Sequence, residues 1–177
     1  MKETANLPET QTETAAQSTA PAQSLFSRIL VPTDFSNKSE IAVDYAIELG
    51  RQMHAQLTLL HVLPERSAFD CAMRGFPHGE WKQAKEEAQK KLAEEVTRAK
   101  LTFTEVDSLF RTGLDLRDEI LSAIKEISAD LLVLSTHGYT GWKHLLFGSD
   151  AEKILEHAPC PVLVVGLEVA KPEISAK

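Results

Sequence analysis

The sequence predicts an α/β domain with an open, doubly wound, all-parallel sheet of five strands. Three observations carry that prediction. Compact apolar runs alternate with amphipathic helical stretches in the order β-α-β-α-β-α-β-α-β. A central run such as Leu131–Ser135, LLVLS, lacks the polar alternation of a strand with one wet face. Strands joined through helices lie parallel, and right-handed crossovers place helices on both faces of the sheet.

Each element has its own justification. The segment RILVPTDFS (Arg28–Ser36) starts as a strand and ends in turn chemistry. Ser36 is placed to cap a helix over 37–53, where Ile41, Tyr45, Leu49 and Met53 form a stripe beside Ala42 and Ala46. Gln56–Leu63 reads as the second strand, and residues 64–79 as a longer connection containing Pro and Gly. Residues 80–99 carry Trp81, Ala84, Ala88, Leu92, Val96 and Ala99 at helical spacing. Phe103–Phe110 alternates, as a half-buried edge strand does. Asp115 can cap a helix bearing Ile120, Leu121, Ile124 and Ile127. A helix over 149–158 and a last strand at Pro161–Val165 follow Leu131–Ser135.

Residues 1–24 are rich in Thr, Ala, Gln, Glu and Pro and hold almost no large apolar side chain, so a disordered tail is expected there. Residues 25–167 then form one domain and 168–177 a short second tail. Hydrophobic residues make up 43% of the 177, enough for a real core. The formal net charge of −7 argues against nucleic acid and anionic membrane as partners. No apolar run is long enough to span a bilayer and no signal peptide is visible, so the expected location is cytoplasmic. Cys71 and Cys160 form no C-x-x-C pair and read as two reduced thiols, with Cys160 a small buried residue between Pro159 and Pro161.

In such sheets ligands sit beyond the carboxyl ends of the strands, where the strand order reverses. Two carboxyl ends carry special chemistry here. One is VPTDFS, with Asp34 just past the first strand. The other is STHGYTGWKHLLFGS (Ser135–Ser149), past the fourth. Gly138, Gly141 and Gly148 let backbone approach a ligand closely, while Thr136, Thr140 and Ser149 add hydroxyl donors. Ser149 opens a helix whose free N–H groups attract anions. The P-loop and G-x-G-x-x-G spacings are both absent. Plainer readings stand beside these. SDAE (Ser149–Glu152) is a capping box, Asp34 suits a turn, and spaced glycines suit a tight loop. His137 reads as a ligand-contacting or loop-bracing residue and His61 as a satisfied core or rim histidine. No nucleophile, base and orienting acid occur together, so no catalytic residue is assigned.

Three stretches, RILVPTDFS, LTLLHVLPE and ADLLVLSTHGYTGWKHLLFGSDAEKILEHAPCPVLVV, resemble the universal stress proteins over roughly residues 26–166. Gly138, nine intervening residues, then Gly148 and Ser149 match the family's ATP-binding pattern G-x2-G-x9-G-[S/T], with Ser135 in place of the first glycine. The resemblance implies an adenine nucleotide alpha hydrolase-like fold with strand order 3-2-1-4-5. It implies that Pro32, Thr33, Asp34 and the backbone of Val62 hold the adenosine half of ATP or another adenine nucleotide. Ser135, Thr136, His137, Gly138, Thr140 and Gly141 would line ribose and phosphates, and Gly148, Ser149 and Asp150 would meet the phosphates at the helix start. Asp150 opposes a polyphosphate unless Mg²⁺ or Mn²⁺ lies between them. The resemblance also implies a homodimer through about Pro161–Val165, and an apolar last strand needs cover at its edge in any case. The expected function is a nucleotide-binding regulator in stress response with little or no hydrolysis. A slow hydrolase using Asp34 or His137 as base, and a nucleotide-independent interaction module, are the alternatives.

Overall fold

The computed structural model describes residues 24–65, 78–135 and 149–166. The expected tails at 1–23 and 167–177, most of the 64–79 connection and the glycine loop at 136–148 lie outside the described residues. Nine elements follow in chain order: β1 (Arg28–Pro32), α1 (Asn37–Met53), β2 (Gln56–Pro64), α2 (His78–Lys100), β3 (Val106–Gly113), α3 (Leu116–Ile127), β4 (Leu131–Ser135), α4 (Ser149–His157) and β5 (Val162–Val165). The strands form one parallel sheet in the order β3-β2-β1-β4-β5, as expected.

Alternate residues of each central strand serve opposite faces, and both faces are covered, so the strands read as unbroken apolar runs. Ile29, Val31, Leu57, Leu59, Leu131 and Val133 pack with α1 and α2. Leu30, Leu60, Val62, Leu132 and Leu134 pack with Ile120, Ala123 and Ile124 of α3 and Ile154 of α4. On the first face Gly50 lets α1 come down onto Phe103. A Cβ there would lie 2.9 Å from the ring.

The helix ends follow the sequence signals. Ser36 caps α1 by accepting from the Ser39 N–H, and Asp115 caps α3 by accepting from the Arg117 N–H. The Arg117 guanidinium also pairs with Asp115 and holds its carboxyl down at about 2.

Both boundaries of β3 and the burial of some side chains differ from expectation. β3 starts three residues later than Phe103 because the chain first closes α2 with a turn, in which the Phe103 N–H donates to Ala99. Phe103 is buried from that turn, not from a strand. β3 also runs on through the polar Arg111 and Thr112, which continue the pairing opposite Val62 and Leu63. Arg111 is held there by Glu119, Ser122 and Glu126 of α3. Finally, Trp81 and Ala84 of α2 are exposed although they lie on the apolar stripe. A 23-residue helix runs about 35 Å and outreaches the strands beneath it, so its first turns overhang the sheet. Cys160 is half-buried rather than buried.

The adjacency of β1 and β4 is fixed by a polar clamp. The Asp130 carboxylate accepts from the Ser27 N–H at 2.8 Å and the Arg28 N–H at 2.8 Å. The Asp130 N–H donates to the Arg28 carbonyl at 2.9 Å, and Arg28 Nε donates to the Ser128 carbonyl at 2.8 Å. Charge-assisted bonds of this kind are the stronger sort. Asp130→Ala should therefore lower stability by about 1–3 kcal/mol, read as a lower urea midpoint with unchanged slope.

Candidate functional site

The site follows from the topology. β1 pairs with β2 on one side and β4 on the other, with Leu30 opposite both Thr58 and Leu132. All strands run the same way, so Asp34, the end of β2 and Ser135 leave the sheet at one edge. α4 carries the chain back across the sheet to the start of β5, which puts the N-terminus of α4, at Ser149 and Asp150, on that same edge. The direction of the crossovers reverses between β1 and β4, which makes this edge the switch point of the fold.

Thr33 organises the first wall. It is fully buried, and its N–H donates to the Leu60 carbonyl at 2.8 Å. Its carbonyl accepts from His61 Nδ1 at 2.8 Å. Its hydroxyl oxygen accepts from the Phe35 N–H at 3.1 Å and lies 3.2 Å from the Ser39 hydroxyl. The loop after β1 is thus tied to both β2 and α1. Asp34 Oδ1 accepts from the Ser36 N–H at 3.1 Å and from the Ser36 hydroxyl at 2.6 Å, so the turn role read from the sequence is present. Phe35 adopts a left-handed backbone conformation, φ 62°, which is unusual for a bulky side chain. That conformation accompanies a ring stacked on His61, with centroids 4.2 Å apart. Strained backbone held by its surroundings is a common mark of a site.

Beside Asp34 a cavity of about 710 Å³ opens between this loop and α2. Phe35, His61, Lys38, Ala84, Glu87 and Lys91 are among its walls. Lys91 pairs with Glu87 at 2.8 Å. His61 is 8% exposed. Burial lowers its pKa, and the Thr33 carbonyl and Asp34 only partly offset this. Among the described residues no cluster of three or more His, Cys, Asp or Glu could hold a metal ion.

Of the residues assigned from sequence, Pro32, Thr33, Val62 and Ser135 are buried and Asp34 is half-buried. Pro32 and Thr33 meet β2 directly, at Leu60 and His61. Val62 lies two residues past Leu60, the partner of Pro32, with its side chain in the core on the α3 and α4 face. Ser135 ends β4 opposite Val165. Thr136, His137, Gly138, Thr140, Gly141 and Gly148 lie outside the described residues. The sequence reading gave no ligand role to the cavity walls on α2 and missed Glu95. Glu95 sits with Leu92, Val96 and Ala99 on the buried stripe, a carboxylate where an apolar residue is expected.

A parallel, doubly wound α/β sheet with its crevice at the reversal of strand order defines the class: an open-sheet fold with its crevice at the carboxyl edge. The chain belongs to the Universal stress protein family, which it matches over residues 25–166. It is 32% identical to Universal stress protein MJ0531 of Methanocaldococcus jannaschii, over 81% of this chain and 84% of that one. The solved structure of MJ0577, from the same archaeon, superposes with a TM-score of 0.63 at 28% identity, covering 82% of this chain and 99% of the other. A universal stress protein solved in complex with cAMP shares the fold, with a TM-score of 0.60 at 24% identity, covering 80% and 98%.

Glu95 gives a pH test. Burial raises its carboxyl above the ordinary range, while the Thr33 hydroxyl and Arg98 pull the other way. Its Oε2 is buried and has no hydrogen-bond partner among the described residues. A raised carboxyl favours folding below its unfolded value, and that contribution is lost as pH rises through the folded value. Arg98 keeps Asp44 at 2.8 Å and Glu40 at 3.7 Å as counter-charges. Glu95→Gln should therefore raise the thermal midpoint at neutral pH, and the gain should vanish below pH ~4, the ordinary carboxyl value.

Proposed function

We propose that this protein is a regulatory binder of ATP or another adenine nucleotide. The observation that carries the reading is the pairing of β1 with β4. It brings Thr33 and Asp34 to the sheet edge where Ser135 ends β4 and α4 begins. The adenosine half lies against Pro32, Thr33, Asp34 and the Val62 backbone. The phosphates lie along Ser135, Thr136, His137, Gly138, Thr140 and Gly141 and end at Gly148, Ser149 and Asp150, on the positive end of α4. Mg²⁺ or Mn²⁺ travels with the phosphates and separates them from the Asp150 carboxylate. Support also comes from the family itself, one of whose members holds cAMP on this fold.

Hydrolysis is slow or absent, because positioned phosphate donors do not by themselves activate water. The protein works in the cytoplasm as a homodimer in stress response, reporting nucleotide supply to a partner. Residues 25–167 act as the folded unit and the two terminal segments as tails. The exposed Leu163 and Val164 of β5, with Leu155 of α4, support a self-association face at the sheet's free edge. Ser135 and Asp150 favour a second reading, a nucleotide-independent interaction module, because both depart from a bare glycine cradle.

Denaturing extraction of freshly purified protein should release an adenine nucleotide, and Mg-ATP should raise the melting temperature. Absence of both effects selects the second reading. Nucleotide affinity should drop when the cation is chelated, and Asp150→Ala should relax that dependence. Equal affinity with and without chelator in the parent protein removes the cation from the scheme. Leu163→Glu should shift sedimentation from dimer to monomer without unfolding, since Leu163 lies outside the two buried clusters.

A further inference from the structure

Glu95 is the buried acid that the nucleotide scheme above leaves without a task. Its side chain is 10% exposed, on the sheet-facing stripe of α2 beside Leu92 and Ala99. Its Oε2 has no hydrogen-bond partner among the described residues. Arg98 Nη2 is buried and unpartnered in the same way and stands 3.9 Å from Glu95 Oε1, beyond hydrogen-bond reach. Arg98 is committed instead to Asp44 of α1, through Nη1 at 2.8 Å. The charged groups around the carboxyl are thus Arg98 on its own helix and Glu40 and Asp44 on α1, and those two carboxylates oppose a third negative charge. A glutamine at this position avoids that cost, so stability does not account for the acid.

Its hydrogen bond to the Thr33 side chain does account for it. A hydroxyl has one proton to give. Thr33 Oγ1 accepts from the Phe35 N–H at 3.1 Å and lies 3.2 Å from Ser39 Oγ. The Ser39 hydroxyl itself donates to the Ser36 carbonyl at 2.9 Å. An ionised Glu95 only accepts, so it draws the Thr33 proton toward α2. A hydroxyl polarised by a charged acceptor holds the Phe35 N–H more tightly in turn. Thr33 and Phe35 flank Asp34, and Phe35 keeps its φ of 62° within that closed turn. A protonated Glu95 can donate instead, which returns the Thr33 proton to Ser39 and removes the polarising charge.

We propose that Glu95 is a positioning residue of the nucleotide site, whose ionised carboxylate fixes the turn from Thr33 to Phe35 around Asp34 and so couples nucleotide affinity to pH. The inference rests on the nucleotide reading above and adds a control exerted from α2 through Thr33. Burial holds the Glu95 carboxyl above the ordinary range. Affinity is highest with Glu95 ionised and falls as pH drops through that raised value. Folding has the opposite slope, because burial favours the protonated form. One proton therefore favours the fold and weakens the site.

The test is calorimetric titration of the full chain with Mg-ATP and with AMP at pH ~8 and pH ~5.5, which bracket a raised carboxyl. The phosphates, Asp34 and His61 titrate in the parent and in Glu95→Gln alike, so the comparison between the two proteins is the reading. From the higher pH to the lower, the parent should lose about three- to tenfold more affinity than Glu95→Gln, for whichever nucleotide it binds. An equal loss in both proteins overturns the inference and leaves the nucleotide reading intact. Failure of the parent to bind either nucleotide at either pH overturns both. Carbon-13 and amide NMR of the ligand-free parent gives a reading that needs no nucleotide. The Phe35 amide signal should shift with the midpoint of the Glu95 carboxyl carbon, and Glu95→Gln should abolish that shift while leaving any part owed to the His61 ring stacked on Phe35. A Phe35 signal that follows only His61, or that stays still through the Glu95 midpoint, overturns the inference.

Discussion

The hydrogen bonds between Asp130 and the start of β1 join segments 103 residues apart, and they pin the strand pairing on which the crevice depends. A parallel pair closed over so long a loop carries a large entropic cost of ordering. It is offset by burial on both faces of β1 and β4, where Ile29, Leu30, Val31, Leu132, Val133 and Leu134 are each fully buried. The polar clamp adds register to that apolar drive. A slip of one residue would exchange the two cores and turn Ile29 and Val31 toward α3. Once β1 and β4 are aligned, the loop after β1 and the chain leaving Ser135 have no other edge to occupy.

The two faces of the sheet differ in kind. Under α3 and α4 the apolar cluster has Cys160 at its rim and the buried Thr58 in line with Leu60 and Val62. Under α1 and α2 the apolar cluster shares its edge with Thr33, Ser39, Asp44, Glu95 and Arg98. Buried polar groups of this number are expensive unless they are paired. Here Asp44 and Arg98 pair at 2.8 Å, and Thr33 serves β2, α1 and its own loop at once. The network fixes the backbone around Asp34 and Phe35, including the left-handed turn at Phe35. Precision at the site is obtained by placing polar groups where a purely structural fold would place leucine.

Most elements were legible from the sequence because pattern and topology agree, whereas the strand order came from the resemblance to a known family. The run at Leu131–Ser135, the stripe of α1 and the caps at Ser36 and Asp115 are local signals, and local structure obeys them. The clamp at Asp130 was not legible, since a carboxylate in a polar turn gives no sign of which distant amides it meets. Arg111 and Thr112 read as loop because an edge strand tolerates polar residues that a central strand would not. His61 was visible as a polar residue ending an apolar strand, but its tautomer depends on the Thr33 carbonyl, a contact made only in the folded chain. Glu95 could have been noticed on its stripe, yet spacing alone does not say that Thr33 and Arg98 wait there. Of the glycine loop itself, only its two ends fall within the described structure, at Ser135 and Ser149.

The overhang of α2 ties the ligand compartment to the least secured stretch of regular structure. Trp81 and Ala84 near its start are exposed. Neighbouring charges one turn apart, Lys82 with Glu86, Glu87 with Lys91 and Lys90 with Glu94, all well exposed, run along it. Each such pair is weakly stabilising at best and weakens further with salt. Yet Ala84, Glu87, Ala88 and Lys91 of this stretch also wall the cavity. Whatever fills the cavity therefore knits the free end of the helix to the body of the protein. Occupancy of the cavity and fraying of this stretch of helix would oppose one another in a single equilibrium.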